Sequence, residues 1–177
     1  PAAHITEIFI PRGDHPLAHP RADDPVQPWM KAHVKENGVT EPIVVCRRTK
    51  RNESTGEVQE QLVLIAGSRR TNALGMAFAD GDLPKPFERI KIIIFTGTDA
   101  ECLLRRAAEN GCNANRKVPD AAHVLATMAR QMERLQVDHQ KILDVMPNDR
   151  VKDLVTVRAL LRWPDLHKNV QERFNLG

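Results

Sequence analysis

The spacing of apolar and polar positions changes character once along this chain. Residues 4–10 alternate loosely and predict a first strand. Residues 11–28 hold five of the twelve prolines and predict an extended loop. Trp29 to Glu36 reads as a short helix, stopped by Asn37 and Gly38. Pro42 to Arg48 is a strand of buried type around Ile43, Val44 and Val45. Lys50 to Gln59 is polar, contains Ser54, Thr55 and Gly56, and predicts a hairpin tip. Leu62 to Ala66 is the returning strand, and a helix over Arg69 to Ala79 begins directly after Gly67. Pro84 and Pro86 break the chain before a third core strand, Ile90 to Phe95. Thr98 and Glu101 form a capping box that opens a helix to about Ala108.

Beyond Asn110 the period is helical. Val118, Ala122, Leu125, Met128 or Ala129, Met132 and Leu135 recur on one face, after Pro119 at a first-turn position. Asp138 caps a short helix through Val145, Pro147 to Asp149 turns the chain, and Val151, Leu154, Val157 and Leu161 line another face stopped by Trp163 and Pro164. The pattern predicts an α+β chain with a boundary between Glu109 and Val118: a mixed region, 1–114, then an all-helical segment, 115–177. The Met- and Ala-rich face from Val118 to Leu135 is either intramolecular core or a surface that repacks onto a second subunit.

Composition narrows the class. Hydrophobic residues are 41% and charged residues 28%, the balance of a soluble globular protein. With 4% aromatics and no Tyr, the core rests on Ile, Val, Leu and Met. No apolar run approaches the roughly 20 residues that span a bilayer, so no membrane partner is expected. A basic region followed by an apolar stretch is absent at the start, so no signal peptide is expected. Cys46, Cys102 and Cys112 are odd in number and widely spaced, which fits neither a disulfide framework nor a zinc site. The expected compartment is the reducing cytoplasm. A net charge of +3 is compatible with nucleic acid or phosphate ligands without demanding them.

The sharpest chemical feature is Gly67-Ser68-Arg69-Arg70, where a strand ends in Gly and a helix starts at once. The leading N–H groups of a helix lack internal partners and sit at the positive end of its dipole. Two arginines in that turn run against the dipole, so an anion or an acidic partner must compensate them. Phosphate is one such anion, and an acid elsewhere in the fold is the other reading. Three further features are weak alone. Glu109 and Asn110 offer hard oxygen ligands for Mg²⁺, His19-Pro20-Arg21 lies in the proline-rich loop, and Gly38 to Val45 is a helix stop, a turn and a buried strand.

The order of the four features resembles the boxes of the ParB family of partition proteins. These are a Gln-Pro-Arg loop, a short helix ending in Gly, a Pro-Ile-Val-Val strand, a Gly-x-Arg-Arg-x-x-Ala turn and Glu-Asn at a helix end. The resemblance covers nearly the whole chain, and the box at Gly67 to Ala73 is its most specific part. It implies a small mixed-sheet ParB/sulfiredoxin-like domain that binds CTP with Mg²⁺. Gly67, Ser68, Arg69 and Arg70 would hold the phosphates, with Thr71 beside them, and Arg21 and His19 would approach from the loop. Glu109 and Asn110 would lie at the metal, and Gly38 and Thr40 near the base or ribose. It further implies a homodimer closed by the nucleotide, DNA as a partner, and a role beside the segregation machinery.

Four departures qualify the resemblance. Ser68 stands where the family has Glu and His19 where it has Gln, so at most slow CTP hydrolysis is expected. The Arg that follows Glu-Asn in the family is missing; Asn113 takes its spacing, and Arg116 substitutes after a one-residue insertion. The tight turn of the family's helix-turn-helix becomes Met146-Pro147-Asn148-Asp149; either Arg150, Lys152, Arg158 and Arg162 meet phosphates or the segment is a helical partner-binding or packing module. The fold also resembles that of sulfiredoxin, but no cysteine lies at the turn where its catalytic Cys would stand. Three functions stay open: a CTP-dependent switch or clamp, a nucleotide-controlled adaptor that has lost DNA reading, and a nuclease or phosphotransferase on the same fold.

Overall fold

The computed structural model describes residues 1–20, 22–112, 121–146 and 151–163, with backbone alone for 110–112 and 121–123. The chain is α+β and divides into two compact units, Pro1–Gly97 and Thr98–Gly177. The first unit holds β1 (Ala2–His4), β2 (Ile8–Phe9), α1 (Pro28–Asn37), β3 (Ile43–Arg51), β4 (Val58–Ala66), α2 (Ser68–Ala79) and β5 (Arg89–Phe95).

The five strands form a mixed sheet in the order β1-β5-β3-β4-β2. β3 pairs antiparallel with β4 and parallel with β5, β1 is antiparallel to β5, and β2 is parallel to β4. Both edges therefore come from the N-terminal segment. The four residue steps from His4 to Ile8 span at most about 14 Å, whereas four flat strand spacings need about 19 Å. The sheet must curl to bring its two edges together.

The single strand expected over 4–10 is thus two short strands on opposite edges, joined by a 3-10 turn at Ile5–Glu7. Local capping breaks it: the His4 backbone N–H donates to Glu7 Oε2 at 2.8 Å, and His4 Nδ1 accepts from the Thr6 N–H at 3.3 Å. The hairpin strands run further than the sequence pattern predicts, with pairing from Val44↔Ala66 out to Arg51↔Val58. The outer half meets no third strand, since β5 joins β3 only from Ile43 to Cys46 and β2 joins β4 only at Leu62 and Val63. Without a buried face it carries no apolar alternation to reveal it.

Ile43, Val45 and Leu64 pack with Val34 of α1 and with Ala73, Leu74 and Ala77 of α2 in one buried cluster. Val44, Cys46, Val63 and Ile65, of the opposite parity, are buried too. Lys31 and Lys35 of α1 pair with Asp80 and Asp82 beyond α2.

In the second unit lie α3 (Asp99–Cys112), α4 (Ala121–Arg134), α5 (His139–Val145) and α6 (Leu154–Leu161). Along the chain the division falls between Gly97 and Thr98, whereas the hydrophobic pattern places a boundary between Glu109 and Val118. Helix α3 packs against α4 and α5, which groups it with the helices. The expected capping box is formed: the Thr98 N–H donates to Glu101 Oε2 at 2.7 Å, and the Glu101 N–H to Thr98 Oγ1 at 3.3 Å. Asp138 caps α5 through the Gln140 N–H at 2.8 Å. Helix α6 begins later than its apolar face suggests, because Asp153 caps it through the Thr156 N–H at 2.7 Å. Leu125, Met128, Ala129 and Met132 are buried, and α4 packs on α3, α5 and α6, so this stretch of the Val118–Leu135 face serves as core of its own unit. Val118 and the Pro147–Asp149 turn lie outside the described residues. No helix among the described residues is long and apolar enough to cross a membrane.

Candidate functional site

The junction of β4 and α2 turns on Gly67, whose φ of +100° puts it where L side chains rarely go. A Cβ here would also stand 2.7 Å from Ile43 Cγ2, inside van der Waals contact. Local strain and core packing therefore both demand glycine. The Thr71 N–H and the Thr71 hydroxyl each donate to the Gly67 carbonyl at 3.0 Å, closing the first turn. Thr71 is fully buried, so its hydroxyl serves the helix start.

Ser68 opens α2, and no side chain caps this helix. Its residue is 4% exposed, and its Oγ has no hydrogen-bond partner among the described residues. An unpaired buried hydroxyl costs about 1–3 kcal/mol. It stands beside leading N–H groups that the helix itself cannot satisfy, at the positive end of the dipole.

Arg69 is exposed. Arg70 folds back onto the turn before β3: its Nη1 donates to Glu41 Oε2 at 2.8 Å and to the carbonyls of Glu41 and Pro42 at 3.3 and 3.4 Å. The acidic partner that the reversed dipole calls for is thus Glu41, in the same turn as Gly38 and Thr40. Gly38 ends α1 at φ +67°, with Phe87 Cδ1 2.9 Å from where a Cβ would stand. Its role in the structure is to let Phe87 pack against the turn. Thr40 is exposed.

Asn72, one turn into α2, reaches the proline-rich loop. Its Nδ2 donates to the Ala22 carbonyl at 2.7 Å, and its Oδ1 accepts from Arg12 at 3.4 Å. Arg12 also pairs with Asp23. The loop folds as turns, with the Ala18 N–H donating to the His15 carbonyl at 2.8 Å and the Ala22 N–H to the His19 carbonyl at 2.9 Å. Leu17, Ala18 and Ala22 are buried, and the stretch is anchored rather than loose. His19 is half-buried, and Arg21 lies outside the described residues.

Glu109 and Asn110 lie near the end of α3, in the second unit, and the Asn110 side chain is outside the described residues, as are Asn113 and Arg116. Among the described residues no group of three or more His, Cys, Asp or Glu side chains is placed to hold a metal ion. Arg158 of α6 is exposed, as are Lys152 before the helix and Arg162 at its end, while Arg150 lies outside the described residues. Cys46 and Cys102 are buried.

Sequence reasoning located the Gly67–Arg70 turn but missed Glu41 and Asn72. The excess of arginine signalled that an acid was needed without saying which one. Asn72 carried no signal, because its partner lies 50 positions away.

The sequence matches no protein-family model and no curated protein. In structure the chain is similar to the C-terminally truncated chromosome-partitioning protein ParB from Caulobacter crescentus, complexed to the centromeric parS site. That likeness has a TM-score of 0.47 and 17% sequence identity, over 97% of this chain and 75% of that one.

Proposed function

We propose that this chain binds a nucleoside triphosphate, CTP being the one expected, with the phosphates at Gly67-Ser68-Arg69-Arg70. Ser68 carries the reading. Its buried hydroxyl, without a partner among the described residues and in the first turn of an uncapped helix, is what an anion would satisfy. Ser68 Oγ and the leading N–H groups donate to phosphate oxygens, and Arg69 and Arg70 add charge-assisted hydrogen bonds. Asn72 holds the proline-rich loop at Ala22 against the same helix.

The nucleotide acts as a switch. It closes a homodimer by binding the closed arrangement more tightly, and only that difference in affinity shifts the population. The role is in DNA segregation or in positioning its machinery, with DNA as a partner. A second reading, a strand–helix junction without a ligand, is favoured by the Arg70–Glu41 pair, which already neutralises one arginine.

Calorimetry with CTP, ATP, GTP and UTP, with and without Mg²⁺, separates the two. Heat with CTP and a raised melting temperature are expected, since a ligand of the native state stabilises it by linkage. No heat with any nucleotide at millimolar concentration ends the nucleotide reading. Glu109→Gln in the same titration tests the Mg²⁺ assignment, and a DNA mobility shift with and without CTP tests the DNA partner.

A further inference from the structure

We infer that Glu41 is an internal stand-in for the ligand's phosphate, holding Arg70 until a polyphosphate displaces it. This rests on the reading of the α2 start as a phosphate site. The Arg70 guanidinium spans from that start to the turn ahead of β3, where one carboxylate oxygen and two carbonyls accept from it. A carboxylate and a phosphate cannot share that guanidinium without like-charge repulsion. Ligand entry therefore expels the Glu41 carboxylate.

The exchange is built to be easy. The Glu41 side chain is 77% exposed, so it swings into water without burying its charge. Arg70 is only 26% exposed and stays at the site, still within reach of the Glu41 and Pro42 carbonyls. An ion pair at such exposure is weak. A polyphosphate with several charges, and an oxygen geometry that matches the guanidinium fork, outcompetes it. A singly charged anion lacks that advantage. Glu41 thereby tunes the site toward polyphosphates and keeps Arg70 ordered in the absence of ligand.

The test is Glu41→Gln, which keeps size and hydrogen bonding and removes the charge. Affinity is measured by calorimetry for two probes, CTP with Mg²⁺ and inorganic tripolyphosphate, and the unliganded melting temperature checks the fold. Tighter binding of both probes by about two- to fivefold is expected, the size of an exposed ion pair. Unchanged or weaker binding in the variant, with binding intact in the unaltered protein, overturns the role of Glu41 and leaves the nucleotide reading standing. A gain for CTP but not for tripolyphosphate overturns it as well, by placing the effect at the base. If neither protein binds either probe, the phosphate site itself is wrong and this inference goes with it.

Discussion

Asn72 Nδ2 donates a 2.7 Å hydrogen bond to the carbonyl of Ala22, tying the second turn of α2 to a loop 50 residues earlier. An Asn in a helix interior is a poor helix former, and this one is offset by a tertiary bond. Asn72→Ala should destabilise the protein by about 1 kcal/mol, the net worth of one such bond. Amide exchange at Ala22 and neighbouring loop residues should rise more than exchange in β3 or β4. Unchanged loop protection would mean that the buried Leu17 and Ala18 anchor the loop without Asn72.

Gly67→Ala should cost about 2 kcal/mol or more, because it adds a strained backbone angle to a core clash. The clash is with Ile43 Cγ2, so its cost should not add to that of Ile43→Ala. Denaturant unfolding of both single variants and the double variant reads this. Simple additivity would leave backbone strain as the whole cause.

Ser68→Ala separates stability from binding. Removing a buried hydroxyl that has no partner among the described residues should leave stability unchanged or raise it by up to about 1 kcal/mol. Nucleotide affinity should fall at the same time. A stability loss would show that the hydroxyl is satisfied in the folded protein, and an unaltered affinity would take Ser68 out of the site.

The cap of α3 should be pH-dependent. Hydrogen bonds from the Thr98 N–H and then the Thr98 hydroxyl hold the Glu101 carboxyl below its usual range, against a small opposing effect of desolvation. A carboxyl depressed in the folded state contributes stability above its unfolded pKa and loses it as pH falls through the folded value. The start of α3 should therefore fray in acid, below the ordinary glutamate range. Glu101→Gln should flatten that part of the profile, read by amide exchange at Ala100 to Leu103 across pH.

Slow or absent CTP hydrolysis is expected. Phosphoryl transfer to water needs a group that positions the attacking water, and a buried serine hydroxyl is a poor base. Release of phosphate over many turnovers, abolished by Arg70→Ala, would contradict this.

Much of the fold was legible from local signals. Gly38 and Gly67 mark a helix end and a helix start because glycine takes the positive φ found there without a side-chain penalty. Thr98 with Glu101, and Asp138, announce caps whose partners lie within three residues. The runs around Ile43 and Leu64 read as buried strands because both their faces are covered. What spans long separations was not legible. Residues 2–9 form both edges of one curled sheet, a result of closure that alternation alone cannot express. α3 groups with the helices because of what it packs against, not because of its own period. At the site, the sequence marked the glycine, the serine and the two arginines, whose chemistry is local to one helix start. That Glu41 meets Arg70, that Asn72 holds Ala22, and that the Ser68 hydroxyl is buried without a partner among the described residues depended on distances between segments, which the tertiary structure alone decides.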